Sequence, residues 1–544
     1  MTVSRIHDWA PGEVLTASDL NAEFNNLIDS LNTADVVVGI TATGSSTARL
    51  LADRFAEVTN VKDFGAVGDG STDDYTAINA AITYAGANGV VYFPQGTYIV
   101  GTMLVASSNS VKFVGDGETV SILKRKGGAT IDALLHIGPT SGTGATIGVI
   151  VEGLGFDGNS GCTDAVIKCR NMQYASLRHL NVYSGTACGI RTDTSTTTIN
   201  TQAFRNEFIA IRSSFHGTVG MKFQGEKDSR FVDLLSYSNT SHGFEFKAFK
   251  DDGNQLCETT QCTLGVLISR DNGGNGFTFD AVEKYVAASL ISTINTGYGM
   301  QFLSSQTGAA SNGSNSLICA NYLSRNDQTG GIRMADNCSV DGATFGVAHI
   351  IGYSQSTGAV GWEMAGVNRV HIASVQIVGG QGDAMRLEQG TPFGGGATEC
   401  RNIQIGIASF TDNGNVGSSA NNGLRLKDSA TNVIIGSLYS ANAQTTGGHY
   451  EINADNGVGP VYIHNCVVNP NAGANGFSIG SADIHLGIVK NGTNTPVLIL
   501  KDNVTAPGGV VVASTHAQIY IDGADGDLKI RFGDGTVKTI VVDT

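Results

Sequence analysis

A short phrase recurs through the middle of the chain: a glycine, a large apolar residue, one variable residue and a second large apolar residue. It stands at Gly220-Met-Lys-Phe, Gly243-Phe-Glu-Phe, Gly276-Phe-Thr-Phe, Gly299-Met-Gln-Phe, Gly331-Ile-Arg-Met and Gly361-Trp-Glu-Met. It continues as Ala384-Met-Arg-Leu, Gly423-Leu-Arg-Leu, His449-Tyr-Glu-Ile and Gly476-Phe-Ser-Ile. Alternation with period two marks a strand with one buried face, and the glycine is expected to supply a turn conformation ahead of it. From Gly220 to Gly361 the glycines step by 23, 33, 23, 32 and 30 residues. A unit of that size cannot bury its own apolar face, so copies must stack as a solenoid.

Between the phrases lie second apolar segments such as CTLGVLIS (262–269), YVAASLIS (285–292), RVHIASVQIV (369–378) and NVIIGSLYS (432–440). They are strand-like and bounded by Gly, Asn, Ser and Asp turns. No helical period recurs, so an all-β parallel β-helix fits better than leucine-rich or α-helical repeats. The 544 residues hold 72 Gly against 8 Pro, with only 15% charged residues, which suits turn-rich β structure rather than disorder. Coil lengths vary, up to 39 residues from Ala384 to Gly423, which implies loops of different size on a constant core.

Composition also excludes partners. The net charge is −15 without a basic run, which argues against nucleic acid or an anionic membrane. No stretch is long and apolar enough to span a bilayer, and the start lacks a signal peptide's apolar core. The nine cysteines show no metal-ligand or paired spacing, so reduced core residues are expected.

At the amino terminus, residues 16–32 predict a helix capped by Thr16 or Ser18, with Leu20, Phe24, Leu27 and Leu31 on one stripe. That stripe either pairs with copies of itself or docks on its own domain. A small, polar linker follows from Thr33 to about Ser46. Residues 61–100 place a glycine-rich loop before a helix bearing Ile78, Ala81, Ile82 and Ala85, suited to covering the first open coil. Asp69, Asp73 and Asp74 there are read as turn and cap residues rather than metal ligands. After residue 480, turns at Asn491-Gly492, Asp525-Gly526 and Asp534-Gly535 predict a small hairpin-rich module. The expected divisions are 1–55, 56–490 and 491–544.

The middle residue of each phrase faces outward, and stacked coils align these residues in a column. It comprises Lys222, Glu245, Thr278, Gln301, Arg333, Glu363, Arg386, Arg425, Glu451 and Ser478, with a second column two residues on that includes Gln224, Lys247, Asp280, Glu388 and Lys427. Two patches have the chemistry for a sugar chain. Glu245 and Asp280, beside Lys222 and Lys247, form one carboxylate pair suited to general acid and base roles. Glu363 and Glu388, flanked by Arg333 and Arg386, form the other. The competing reading is an ordinary charge ladder on a solvated face. Tyr237 and Tyr353, near turns, are stacking candidates, Trp362 is assigned to the core, and His216 and His242 to structural roles. Asp251, Asp252 and Glu258 lie on one long loop, where calcium binding competes with solvated charge; no cofactor or metal site is otherwise indicated.

The string KDFGAVGDGSTDD, followed by a helix and GVVYFPQGTYIV, resembles the opening of the pectate-lyase-like right-handed parallel β-helix superfamily, in particular tailspikes and depolymerases of tailed bacteriophages. STARLLADRFAEVTNVKDFGAVGDG, WAPGEVLTASDLNAEFNNLIDSLN and the ending GDLKIRFGDGTVKTIVVDT are similar to segments of such proteins. The resemblance implies a homotrimeric virion tail protein, attached to phage tail or adaptor proteins by its amino terminus. Such a protein acts outside the cell on capsular or O-antigen polysaccharide. The pectinase Asn-Thr-Asp and Arg-Ile-Lys signatures are absent, so the resemblance does not reach the catalytic centre. Three activities stay open: glycoside hydrolysis by paired carboxylates, lyase chemistry on a uronate polymer, and recognition without cleavage.

Overall fold

The protein is described from a computed structural model. It covers residues 12–14, 16–33, 39–142, 144–194, 203–250, 256–257, 259–303, 315–334, 342–353, 359–390, 398–412, 422–427, 430–441, 450–455, 458–468, 475–479, 484–490, 496–498, 517–521, 528–532 and 537–541. The chain winds as a right-handed parallel β-helix. Each coil gives one short strand, such as Phe244–Lys247 or Phe277–Asp280, to a 14-stranded parallel sheet that runs from Leu104–Ala106 to Asn475–Ile479. It then gives a longer strand, such as Thr263–Arg270 or Asn368–Val378, to a second parallel sheet. The phrase residues alternate as the period predicts: Phe244 and Phe246 are fully buried, and Glu245 between them is not.

One phenylalanine per coil stacks on the next. Phe223, Phe246, Phe279 and Phe302 pair in register, with ring centroids 5.3, 5.3 and 5.5 Å apart. The repeat therefore places identical side chains one above another, and their contact continues the core from coil to coil.

The phrase glycine has a different reason from the one expected. Neither Gly220, Gly243 nor Gly276 is among the positive-φ residues. A side chain is excluded there because an added Cβ would lie 1.9 to 2.2 Å from Ser236, Ser269 or Ser292 Oγ of the long strand that follows. Those serines form a buried ladder, Ser213, Ser236, Ser269, Ser292 and Ser324 being aligned by the register. Ser213 and Ser236 each donate to the carbonyl of the glycine that opens the next short strand, at 2.8 Å. Beside them runs an amide ladder: Asn239 Nδ2 donates to Asn272 Oδ1 at 2.8 Å, Asn272 to Asn295 at 2.8 Å, and Asn295 to Asp327 at 2.9 Å. Buried turn polar groups are thus satisfied by the adjacent coil.

At the first coil, helix Tyr75–Ala85 buries Ile78, Ala81 and Ile82 against the same core as Val91 and Phe93. Asp74 stands at its N-cap position, but its carboxylate accepts from Val67 and Gly68 N–H at 2.7 and 3.1 Å and so ties down the glycine loop. Asp69 accepts from Ser71 and Thr72 N–H, bonds that lower its pKa. Upstream, helix Ala17–Thr33 is capped by Thr16, whose hydroxyl accepts from Asp19 N–H at 3.2 Å. Part of the expected linker pairs instead, Gly39–Thr41 lying antiparallel to Ala48–Leu50.

After Ile484–Lys490 the pairing changes from parallel to antiparallel, through Pro496–Leu498, Ala517–Ile521, Leu528–Phe532 and Val537–Val541. The turns expected at Asn491-Gly492, Asp525-Gly526 and Asp534-Gly535 lie outside the described residues, as do Asp251, Asp252 and Glu258. Seven described cysteines are buried and free, and burial pushes the Cys162, Cys262, Cys319, Cys400 and Cys466 thiols up to about 12. Among the described residues, no helix is long and apolar enough to cross a membrane.

Candidate functional site

The predicted column exists. Register pairs Lys222 with Glu245, then Thr278, Gln301, Arg333, Glu363, Arg386 and Arg425 in unbroken succession. Its end differs: Arg425 pairs with Asn453, and Asn453 with Ser478. Glu451 instead occupies the glycine position of its coil, fully buried, and accepts a hydrogen bond from Ser440 Oγ at 2.5 Å. In the fold this repeat begins at Glu451, two residues after His449, because Tyr450 and Ile452 alternate in either register and alternation alone does not fix the phase.

Around Glu363 the column becomes a dense ionic site. Glu363 lies 3.3 Å from Arg333 Nε and 4.0 Å from Arg386, and its side chain is 12% exposed. Glu388 is its neighbour one coil on and two residues along. Burial raises the Glu363 pKa and the Glu388 carboxylate adds to the shift, against the opposing pull of Arg333 and Arg386. Glu388 in turn meets Lys427 Nζ at 3.0 Å. Both arginines are themselves held: Arg386 by Asp383 at 2.8 Å, and Arg333 over the Tyr298 ring at 5.2 Å. Asp383 accepts from the Asn422 backbone and side chain at 2.7 and 2.9 Å, so the arginine's partner is fixed by the following coil. Tyr298 and Asp383 are the participants that phrase-reading missed. Tyr298 stands just ahead of a phrase and Asp383 just before Ala384, at turn positions the alternation does not mark.

The other patch is organised differently. Glu245 pairs with Lys222 at 3.1 Å and Asp280 with Lys247 at 2.9 Å, each lysine coming from the preceding coil. The Asp280 side chain is only 2% exposed. An outward carboxylate pair straddling a sugar was expected; the structure shows two lysine-neutralised carboxylates, one of them buried.

Tyr353 is also corrected. It is fully buried, with its hydroxyl donating to the carbonyls of Gly382 and Asp383 at 3.0 and 2.9 Å, so it presents no face to a ligand. Tyr237 is half-buried in a strand of the other sheet, against Phe215 and under Arg270. His216 and His242 are both acceptors of backbone N–H groups, from Gly185 and Asn275, and Trp362 is buried as expected.

The column also extends amino-terminally beyond the phrases, through His136, Lys168 and Arg191 to Lys222. Lys168 pairs with Asp164 at 2.6 Å and Asp132 at 2.9 Å, and Arg191 bonds to Asp164. The Lys168 and Arg191 coils lack the large second apolar residue, Cys169 and Thr192 standing where later coils have phenylalanine, and the His136 coil has Leu134 in place of the glycine. That is why the phrase does not reveal them.

The family model described as Rhamnogalacturonase A/epimerase, pectate lyase-like matches residues 58–339. Mannuronan C5-epimerase AlgE2 of Azotobacter vinelandii is 29% identical over 251 residues, 42% of this chain and 23% of that protein. The chain thus matches less than a quarter of that relative's length. Among solved structures, the A-module of Azotobacter vinelandii mannuronan C-5 epimerase AlgE6 is similar with a TM-score of 0.47 and 17% identity, covering 79% of this chain and 98% of that one. The Dettilon tailspike protein is similar with a TM-score of 0.47 and 12% identity, covering 93% of this chain and 81% of that one.

Proposed function

We propose, for a chain that belongs to the Rhamnogalacturonase A/epimerase, pectate lyase-like family, that the sheet face around Glu363 and Glu388 hydrolyses a bacterial surface polysaccharide. The observation that carries this reading is the pair of neighbouring carboxyls, with Glu363 largely buried between Arg333 and Arg386 and its pKa raised by burial and by Glu388. Glu363 is the general acid that protonates the leaving glycosidic oxygen. Glu388, beside Lys427, is the base that takes a proton from water. An acid–nucleophile pair stands about 5 Å apart and an inverting pair about 6.5–9.5 Å apart. A base acting through water requires the wider, inverting separation between these two carboxyls when sugar docks. Arg333 and Arg386 orient an acidic substituent by bidentate bonds.

Those arginines support a second reading. Neutralising a uronate carboxylate acidifies its α-proton, which lyase or C5-epimerase chemistry would remove, and the matched relative is named a mannuronan C5-epimerase. Recognition without cleavage is the third. In each case the setting we propose is a phage tail protein acting at the bacterial surface. Residues 1–55 attach to the virion, 56–490 form the saccharide-binding body, and 491–544 cap it and join three chains. The exposed stripe of helix Ala17–Thr33, with Leu20 at 43%, Phe24 at 53% and Leu27 at 41%, supports self-association.

The test is incubation with purified capsular or O-antigen polysaccharide, reading reducing ends and ultraviolet absorbance together. Hydrolysis gives new reducing ends without absorbance, lost by about 10²–10⁴-fold in Glu363→Gln. Fragments with an unsaturated uronate end would replace it with the lyase reading, and an unchanged rate in Glu363→Gln would remove this site.

A further inference from the structure

In four successive long strands of the second sheet one residue holds a left-handed backbone, and these four positions fall opposite one another. Register places Gly153, His179, Ala210 and Asp233 in line, because the pairs on either side, Arg178 with Ile209 and Leu180 with Ile211, skip the residue between. One residue out of line, opposite Val232, a second run of small residues follows at Gly265, Ala288, Ala320 and Gly346. Crowding explains these small residues: a Cβ added at Gly346 would sit 2.5 Å from the carbonyl oxygen of Ala320. His179 and Asp233 depart from the pattern. Both hold a left-handed backbone, with φ of 52° and 54°, which a side-chain-bearing residue resists.

A cavity of about 450 Å³ opens at that place, within the range of small-molecule sites. Glu118, His179, Arg212 and Asp233 line it, over a floor that includes Ala210 and Leu235. One end is closed by the loop at 116–118, whose Gly117 N–H donates to Gly153 at 3.0 Å and whose Glu118 carbonyl packs where a Cβ at Gly155 would be, 2.5 Å away. Asp116 anchors the loop by accepting from Tyr92 Oη at 2.6 Å and Gln95 N–H at 2.8 Å. Glu118 reaches Arg212 at 2.7 Å across ninety-four residues of chain. The walls are therefore built by separate coils and an anchored loop.

We infer that this cavity is a second saccharide site, separate from the Glu363 face, that takes the neutral terminal sugar of a glycan chain. Two carboxylates accept from adjacent sugar hydroxyls while the guanidinium between them donates to the same pair. Two carboxylates stand against the single guanidinium of Arg212, so no surplus cation favours a uronate. The closed end admits a chain terminus rather than a continuing polymer. The inference rests on the polysaccharide reading above for its biological sense, but its binding test does not depend on cleavage.

Saturation-transfer NMR on the full chain with maltose, lactose, mannobiose and digalacturonate tests it. At least one neutral disaccharide is expected to bind, with affinity falling at least about tenfold in Asp233→Gly and in Glu118→Gln. Glycine suits both the positive φ and the crowded position, so Asp233→Gly removes the carboxylate without straining the bend. Absence of neutral-sugar binding, preference for digalacturonate, or undiminished binding by both cavity variants would overturn the inference. Absence of polysaccharide cleavage by the wild-type protein would refute the hydrolase and leave a positive binding result standing.

Discussion

A methyl group added at Gly220 would place its carbon 1.9 Å from Ser236 Oγ and 2.6 Å from Asn239 Nδ2, so the side-chain ladders rather than backbone freedom demand glycine there. Gly220→Ala is expected to destabilise by about 1–3 kcal/mol. Part of that loss should be coupled to Ser236→Ala in a double-mutant cycle read by chemical denaturation. The amide ladder ends in titratable groups of opposite sense. Burial raises the Asp327 pKa to about 6 from 3.8 and lowers that of His216 to about 4 from 6.5. For Asp327 the folded value is the higher, so its contribution is whole below about pH 4 and is lost as pH rises through 6. For His216 the folded value is the lower, so stability falls as pH drops from 6.5 toward 4. Over the interval between them the two trends largely cancel. Asp327→Asn continues the amide ladder without a charge. Its stability gain should be near zero below pH 4 and grow to about 2–3 kcal/mol above pH 7. A gain independent of pH would show that Asp327 does not titrate in this way.

At the level of the strand, identical aromatic side chains stacked at about one strand spacing make the core continuous. Phe246 touches Phe223, Phe231, Phe279 and Tyr285, with centroids between 5.3 and 5.6 Å. Phe246→Ala should cost about 3–5 kcal/mol, measured as a shift in denaturant midpoint, while Phe246→Leu should recover more than half. Strand Tyr450–Ala454 shows how one element misleads. Its glutamate lies where other coils have glycine, and Ser440 satisfies it from within the core. Glu451→Gly should restore the repeat pattern and remove a buried carboxyl. It is expected to raise the melting temperature, whereas a functional column residue would leave stability unchanged and alter activity.

For the whole molecule, the exposed stripe on helix Ala17–Thr33 and the proposed carboxy-terminal module predict that the full chain sediments at about three times its 56.4 kDa mass. Phe24→Ser combined with Leu27→Ser should weaken that assembly without changing the β-helix circular dichroism. A monomeric wild-type chain would remove the proposal. The repeated phrase by itself determined the stacked parallel coils, their buried faces and most of the outward column, because period-two burial follows directly from strand geometry. The capping of the first helix and the core placement of Trp362 were legible for the same local reason. Tertiary structure alone decided which column residues are chemically available. Asp280 is buried and paired with Lys247, Glu363 is held between Arg333 and Arg386, and, off the column, Tyr353 donates inward. Those outcomes depend on coil-to-coil register and on burial by neighbouring coils, contacts between residues some thirty positions apart that no local pattern encodes.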